Sequence, residues 1–218
     1  MAISESFPFA TDFIQATLEN LTSEKLMSNV STGKQRCGWS SSEQLLTKYH
    51  DTEWGVPIHD DRKMFEFLVL EGAQAGLSWV TILKRRTAYK KAFDNFDYNK
   101  VARYDKKRID ELVQNETIIR NRLKIESAVT NARALISVRK EFGTFEKYLW
   151  QFVEGEPIKN QWKTLKSVPS KTDISDLMSK DLMMRGFKFV GSTICYAHMQ
   201  AAGLVNDHLV SCFRYDQI

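Results

Sequence analysis

Glu71 stands where the amphipathic pattern of its surroundings calls for an apolar side chain. Over residues 60–79 (DDRKMFEFLVLEGAQAGLSW) apolar residues recur at helical spacing, and Asp60 or Asp61 can cap the start of the helix. The neighbours of Glu71 on its helix face are all apolar: Met64, Phe67, Leu68 and Ala75. Because an unpaired buried charge is costly, Glu71 is expected to be neutral, hydrogen-bonded or reserved for a ligand. A structural carboxylate bonded to backbone or arginine is an equally open interpretation.

The residues around this carboxylate favour a binding site for a flat ring. Gly76 is a helix stop, which leaves Leu77 and Trp79 just beyond the helix end. Four aromatic residues form a dense set in this part of the chain: Trp39, Tyr49, Trp54 and Trp79. Aromatic residues usually serve in core packing, but rings beside a carboxylate also suit a stacked heterocycle.

Two cysteines and two histidines have the types of a tetrahedral zinc site. His208 and Cys212 are four residues apart, which predicts one face of a helical turn, and Cys37 and His50 lie in an aromatic segment near the start. Such a Cys2His2 set would tie the start of the core to its end, although its spacing matches no zinc-finger pattern. A rival pair, Cys195 and His198, is interpreted as core because it lies in an apolar helix.

A helix–hairpin–helix unit is predicted at residues 173–203. Gly186 and Gly191 bracket the hairpin (GFKFVG), a helix opens at Ser192 or Thr193, and Gly203 closes it. The hairpin N–H groups and the following helix N-terminus can bind a DNA phosphate. Candidate contacts are Arg185, Lys188 and Gly191. The hairpin departs from the usual glycine-x-glycine form, and a plain helical hairpin explains the pattern equally well.

The elements that must position these residues are helical, which predicts an all-α fold. Between residues 78 and 153 the pattern predicts helices near 78–93, 99–103, 105–115, 118–141 and 144–153, and strand alternation is almost absent. Residues 1–34 are predicted to be an N-terminal appendage that ends in a linker (SNVSTGKQ), and residues 35–218 a single domain.

Composition is permissive of a nucleic-acid partner and argues against a membrane protein. The 218 residues are 43% hydrophobic and 27% charged, with no apolar run long enough for a span and no secretory signal at the start. The net charge of +4 is a weak basic bias, concentrated near residues 84–91 and 120–124. Three cysteines, an odd number, predict a reducing, cytoplasmic setting rather than a disulfide framework.

Six spaced motifs resemble one enzyme family. RCGW, YHDTEWGVP, LEGAQAGLSW, RGFKFVG, ICY and LVNDH are similar, in order and spacing, to DNA-3-methyladenine glycosylase I, a branch of the helix–hairpin–helix glycosylases, over residues 36–215. The resemblance implies a monomeric, monofunctional enzyme with a structural zinc ion. It would flip 3-methyladenine out of alkylated double-stranded DNA, hydrolyse the N-glycosidic bond and leave an abasic site. In a bacterium it would be associated with the nucleoid.

The resemblance also implies a role for each candidate residue. Glu71 falls on the carboxylate that hydrogen-bonds the flipped base, Tyr49 and Trp79 on the stacking rings, and Gly76 and Leu77 on the wedge that fills the vacated space. Trp39 and Trp54 resemble pocket wall, and the zinc ligands would be Cys37, His50, His208 and Cys212. Asn206 stands where the wider superfamily has an aspartate, as is typical of this branch. The competing interpretations are a helix–hairpin–helix module that binds alkylated DNA without cleaving it, and a small-molecule nucleobase-binding protein.

Overall fold

The computed structural model describes residues 33–218, and nine α-helices make up most of this range. The helices are α1 (Gln44–Thr52), α2 (Asp61–Gln74), α3 (Trp79–Ala92), α4 (Tyr98–Val101), α5 (Lys106–Gln114), α6 (Arg122–Phe142), α7 (Phe145–Trp150), α8 (Asp173–Met184) and α9 (Ser192–Ala201). Two strands, β1 (Ile158–Lys159) and β2 (Val205–Asn206), pair in parallel. The predicted appendage, residues 1–34, lies outside the described residues except for its last two positions. Residues 36–218 form one compact unit.

Helix α2 lies at the centre of this unit. It packs against α3, α6, α7 and α9, and every residue from Phe67 to Ala73 is buried. The Asp60 side chain accepts a hydrogen bond from the Lys63 amide at 2.7 Å and so caps the helix start. The helix ends at Gln74, and Gly76 follows with φ of +77°, a left-handed conformation that favours glycine.

The aromatic segment that carries Tyr49, His50 and Trp54 is held against the end of α9. The Gly55 and Ile58 amides donate to the carbonyls of Gln200 and Ala202, both at 3.0 Å. Gly203, with φ of +74°, has no room for a side chain, because a Cβ there would lie 2.4 Å from the Pro57 nitrogen. The glycine predicted to close the last helix therefore also allows two distant segments to meet.

The all-α prediction is confirmed with small exceptions. The long helix predicted from residue 118 begins at Arg122, because the Asn121 side chain caps it by accepting from the Lys124 amide. Residues 207–209 are irregular and residues 210–212 form a turn and a bend, in place of the predicted last helical turn. Helix α1 has Glu43 at its N-cap position, without a side-chain hydrogen bond to the helix. Within residues 33–218, no helix combines the length and apolarity needed to cross a bilayer.

His198 on α9 is buried without a partner. Its ring is 3% exposed, and neither ring nitrogen makes a hydrogen bond within the described residues. The surrounding side chains of the core include Leu68, Leu149 and Met178. Burial lowers the pKa of His198 to about 4, so the native protein keeps this imidazole neutral.

The burial of His198 predicts a loss of stability in acid. As the pH falls below 6.5 the unfolded chain takes up a proton on His198, whereas the native protein resists protonation until about pH 4. The free energy of unfolding should therefore fall by about 3 kcal/mol over this window. Urea denaturation of the protein and of His198→Phe at several pH values tests this, because the variant should lose that part of the slope. Identical slopes would contradict it.

Candidate functional site

Glu71 is buried in the last turns of α2 with nothing to neutralise it. Its side chain is 5% exposed and makes no hydrogen bond or ion pair with the described residues. Desolvation raises the pKa of Glu71 to about 8, so the carboxyl group is mostly protonated at neutral pH. Of the sequence alternatives, a carboxylate bonded to backbone or arginine is therefore wrong, because Glu71 has no such partner among the described residues.

Two aromatic rings accompany this carboxyl group. The ring centroids of Tyr49 and Trp79 lie 5.5 Å apart at an angle of 55°. Burial raises the pKa of Tyr49 well above its usual value, and the nearby charge of Glu71 raises it further. The Trp79 indole nitrogen is close enough to affect that hydroxyl but makes no hydrogen bond of ordinary geometry within residues 33–218. A buried acid, a buried phenol and a buried indole N–H with no such bond thus converge.

Trp39 and Trp54 connect these rings to the Cys/His set. The Trp39 ring lies 6.4 Å from Tyr49, 5.1 Å from Trp54 and 5.3 Å from His50. The Trp54 ring lies 4.6 Å from that of His208. Both tryptophans are partly buried and pack against the cluster that contains Tyr49. The sequence predicted these aromatic residues as a group, and the structure brings them together.

The four predicted metal ligands also meet. Their donor atoms lie within 4.8 Å of one another, and all four residues are buried: Cys37, His50, His208 and Cys212. The Cys212 sulfur lies 3.4 Å from His50 Nε2 and 3.5 Å from His208 Nδ1, and the Cys37 sulfur 3.7 Å from the latter atom. A tetrahedral zinc ion with ordinary bond lengths would place sulfur and nitrogen ligands about 3.6 Å apart. These three sulfur–nitrogen distances are close to that value, although His208 does not lie in a helix.

Each imidazole of this set has its outer nitrogen bonded to an acceptor. His50 Nδ1 lies 2.8 Å from Asp51, whose carboxylate is held by both Nε and Nη2 of Arg36. His208 Nε2 lies 3.1 Å from the Trp54 carbonyl oxygen. An N–H donated outward leaves the inner nitrogen, His50 Nε2 or His208 Nδ1, with a free lone pair toward the sulfurs. The sequence reasoning did not find Asp51, although it stands directly after His50.

Asp207 is a second residue that the sequence reasoning missed. This carboxylate is 2% exposed and accepts four hydrogen bonds of 2.6–2.7 Å, from Asn160, Trp162, Tyr196 and Gln200. Its neighbour Asn206 donates to the carbonyls of Tyr215 and Ile218, and its amide oxygen accepts from the His208 N–H. These bonds fix the segment that carries His208. A signal was present, because Asp207 lies in a short polar stretch, Asn206 to His208, with apolar residues on both sides of it.

The predicted wedge lies at the C-terminal end of α2. Gly76 is exposed, and Leu77 is partly buried against the core. The Leu77 amide donates to the Gln74 carbonyl at 2.6 Å, and the Ser78 hydroxyl then caps α3. The turn therefore presents Gly76 and Leu77 at the junction of two helices that carry Glu71 and Trp79.

Residues 185–191, where the hairpin was predicted, connect α8 to α9. Lys188 and Gly191 are exposed, and no side chain caps the N-terminus of α9. Phe189 adopts φ of +54°, the left-handed conformation for which the usual hairpin sequence supplies glycine. Arg185 is engaged by Asp181 and Glu141, both at 2.7 Å, so much of its charge is already balanced within the protein.

Comparisons with known proteins agree with this arrangement. The family model for methyladenine glycosylases matches residues 39–215. The chain belongs to the methyladenine glycosylase family. DNA-3-methyladenine glycosylase 1 of Escherichia coli is 49% identical over 181 residues, which cover 83% of this chain and 97% of that protein.

Solved structures of this family superpose closely. A crystal structure of 3-methyladenine DNA glycosylase I is 48% identical, with a TM-score of 0.80, over 82% of this chain and 98% of that one. The Staphylococcus aureus 3-methyladenine DNA glycosylase I, whose structure concerns recognition of 3-methyladenine, is 35% identical with a TM-score of 0.80 over 84% of this chain and 97% of that one. The resemblance inferred from the motifs is thus confirmed.

Replacing Glu71 by glutamine should stabilise this protein. With a native pKa of about 8 and an ordinary value in the unfolded chain, the carboxyl group favours unfolding increasingly as the pH rises from about 4.5 to 8. Glutamine stays neutral, so Glu71→Gln should gain about 3 kcal/mol at pH 7 and little at pH 5. Denaturant titrations at the two pH values measure this difference. Equal stabilities at pH 7 would contradict the burial argument.

Proposed function

We propose that this protein is a monofunctional DNA glycosylase that removes 3-methyladenine from alkylated double-stranded DNA. It flips the damaged nucleotide out of the duplex, hydrolyses the N-glycosidic bond with water as nucleophile, and leaves an abasic site. The observation that carries this proposal is the buried, unpaired Glu71 beside Tyr49 and Trp79, in a chain of the methyladenine glycosylase family.

The substrate itself supplies much of the chemical driving force. Methylation at N3 gives the adenine ring a positive charge, so the base is already a good leaving group. The enzyme therefore needs less acid–base assistance than it would for a neutral base, and extruding the nucleotide into a dry pocket supplies most of the catalysis. This accounts for a site with one carboxyl group and several aromatic rings.

Glu71 selects the charged base because of its raised pKa. At pH 7 the carboxyl group is mostly protonated, and ionising it in the pocket costs about 1 kcal/mol, since its pKa is about 8. A cationic ring offsets that cost by pairing with the carboxylate, whereas a neutral adenine does not. The carboxylate then accepts a hydrogen bond from the N6–H group of the flipped base, whose N7 carries no hydrogen while the glycosidic bond is intact. The main task of Glu71 is accordingly recognition rather than activation of water.

The aromatic rings add a second preference for positive charge. A cationic base held between Tyr49 and Trp79 gains cation–π attraction of about 0.5–2 kcal/mol, with the upper value reached where water is excluded. Tyr49 is 3% exposed, so part of the pocket is already dry. Trp39 and Trp54 extend the wall behind these rings.

The DNA is engaged by two loops. Gly76 and Leu77 enter the space left by the extruded nucleotide, and the exposed glycine allows the backbone to approach the duplex closely. The hairpin and the uncapped N-terminus of α9 bind a backbone phosphate through N–H groups near Gly191, with Lys188 adding charge. Arg185 contributes least of the three predicted contacts, because it is paired with Glu141 and Asp181.

One zinc ion, held by Cys37, His50, His208 and Cys212, completes the protein. Support comes from four buried donors at tetrahedral spacing, two sulfurs and two imidazoles whose outer nitrogens are already bonded. Because all four positions would be filled by protein, the ion supplies structural cross-linking and no reaction chemistry. It joins the segment of Tyr49 to the end of the chain. The enzyme acts as a monomer in the cytoplasm, and in a bacterium at the nucleoid, with all three cysteines unpaired.

Release of free base from methylated duplex DNA tests the proposed function. The intact protein should release 3-methyladenine, and Glu71→Gln should release it about 100-fold more slowly, because the cationic nucleotide would lose its counter-charge. The variant should also bind the neutral released base weakly, because the N–H groups of that base would lose a charged acceptor. Glu156→Gln, an exposed carboxylate, is the matched control and should behave like the intact protein. No release by a folded protein that still binds alkylated duplex would favour a non-catalytic module. Normal base binding by a Glu71→Gln protein that no longer cleaves would make Glu71 a group that acts on water.

Loss of one zinc ligand should act on stability before it acts on chemistry. Atomic absorption should find one zinc ion per chain in the intact protein and none in Cys212→Ser. The free energy of unfolding of the variant should be lower by about 2–5 kcal/mol or more. Cys195→Ser, which removes a buried thiol outside the set, should keep its zinc. A Cys212→Ser protein without metal but with an unchanged melting temperature would contradict a structural ion.

A further inference from the structure

Helix α6 contacts both loops that the proposed function assigns to DNA. We propose that Lys124 and Asn131 are positioning residues that fasten the Gly76–Leu77 turn and the hairpin to this one helix, and so fix the distance between the wedge and the bound phosphate. The inference rests on the proposed function, since it assigns a purpose to a spacing that only DNA would use. Neither residue lies in the base pocket or among the Cys/His ligands.

Lys124 holds the turn that carries the wedge. Its ammonium group donates to the carbonyl oxygens of Ala73, at 2.9 Å, and Ala75, at 2.6 Å. These are carbonyls at the end of α2, where helical partners run out and the helix dipole is negative. Ala75 directly precedes Gly76, so the ammonium fixes the peptide unit from which the turn departs. Because the Lys124 ammonium group is partly buried and bonded to two backbone carbonyls, it is not placed to bind a DNA phosphate.

Asn131 holds the hairpin in the same manner. Its side-chain amide accepts from the Lys188 N–H at 2.7 Å and donates to the Lys188 carbonyl at 2.9 Å, which is the two-bond pattern of a paired strand residue. Asn131 is 3% exposed, so these bonds are shielded from water. The next residue, Phe189, adopts the left-handed conformation that side chains disfavour. The clamp on Lys188 helps to maintain that strained backbone.

The two clamps share one face of a rigid element. Lys124 and Asn131 are seven residues apart, which places them on the same side of α6 and about 10 Å apart along its axis. The helix runs over 21 residues with neither glycine nor proline inside it. The two loops are far apart in the chain, so α6 provides a short and stiff connection between them. A wedge enters the duplex productively only if it stands at the correct distance from the phosphate that the hairpin holds.

The test compares Lys124→Met and Asn131→Leu with Lys147→Met, which removes an exposed lysine from α7 as the charge-matched control. Four quantities are measured on the full chain: the melting temperature, the affinity for free 3-methyladenine by tryptophan fluorescence, the single-turnover rate of base release from methylated duplex, and base extrusion. Extrusion is followed by the fluorescence of 2-aminopurine placed next to the damaged base. Asn131→Asp, which keeps only the acceptor, serves if the leucine variant does not fold.

We expect both clamp variants to bind the free base normally, while extrusion and single-turnover release fall by about 10- to 100-fold. Lys124→Arg, which retains donors for the carbonyls, should recover most of the rate. Variants that release base as fast as Lys147→Met would overturn this inference alone. A parallel loss of free-base binding would also overturn it, because the residues would then act on the pocket or on the fold. If the intact protein releases no base, the proposed function fails and this inference fails with it.

Discussion

Desolvation of a single carboxyl group is the constraint on which the site depends. Glu71 is buried because α2 is surrounded by four other helices, and its position in the apolar face of α2 leaves the group no partner within the described residues. That burial raises the pKa of Glu71, because the charged form loses its hydration. In the proposed function, a cationic base would pair with this otherwise unfavourable group, so that stability and recognition would be opposed at this one position.

The surroundings of the carboxyl group are fixed by contacts between the two ends of residues 36–218. Trp39 and Trp54 pack against the imidazoles of His50 and His208, and Tyr49 directly precedes His50. The close approach of Gly203 to Pro57 holds the same segment on α9. Asp207 adds a buried carboxylate with four donors beside His208. The position of Trp39 and Trp54 is thus set by contacts with the Cys/His cluster on one side and by backbone packing on the other.

The loops that the proposed function assigns to DNA show how tertiary contacts can hold a backbone conformation that the local sequence does not favour. Phe189 adopts a left-handed backbone conformation although it is not a glycine. Two contacts support this conformation: the hydrogen bonds between Asn131 and the neighbouring Lys188, and the close packing of Phe189 against Gly72. Arg185, by contrast, was predicted as a DNA contact from its charge and position, and its carboxylate partners Asp181 and Glu141 come from α8 and from the end of α6. The sequence shows that Arg185 is charged, but not that carboxylates of the protein already pair with it.

The sequence by itself determined the helical fold, the bounds of most helices to within a few residues, and the identity of the residues that gather at the site. Periodicity, capping residues and glycine stops are local properties, so they can be read without coordinates. An apolar helix face interrupted by Glu71 was enough to predict burial. Only the tertiary structure decided that Glu71 has no partner, that Asp51 and the Trp54 carbonyl orient the imidazoles, and that Lys124 and Asn131 join two loops to one helix. Most of these facts depend on contacts between residues distant in the chain, and the Asp51–His50 bond depends on the orientation of two neighbouring side chains. Neither kind of contact leaves a periodic signal in the sequence.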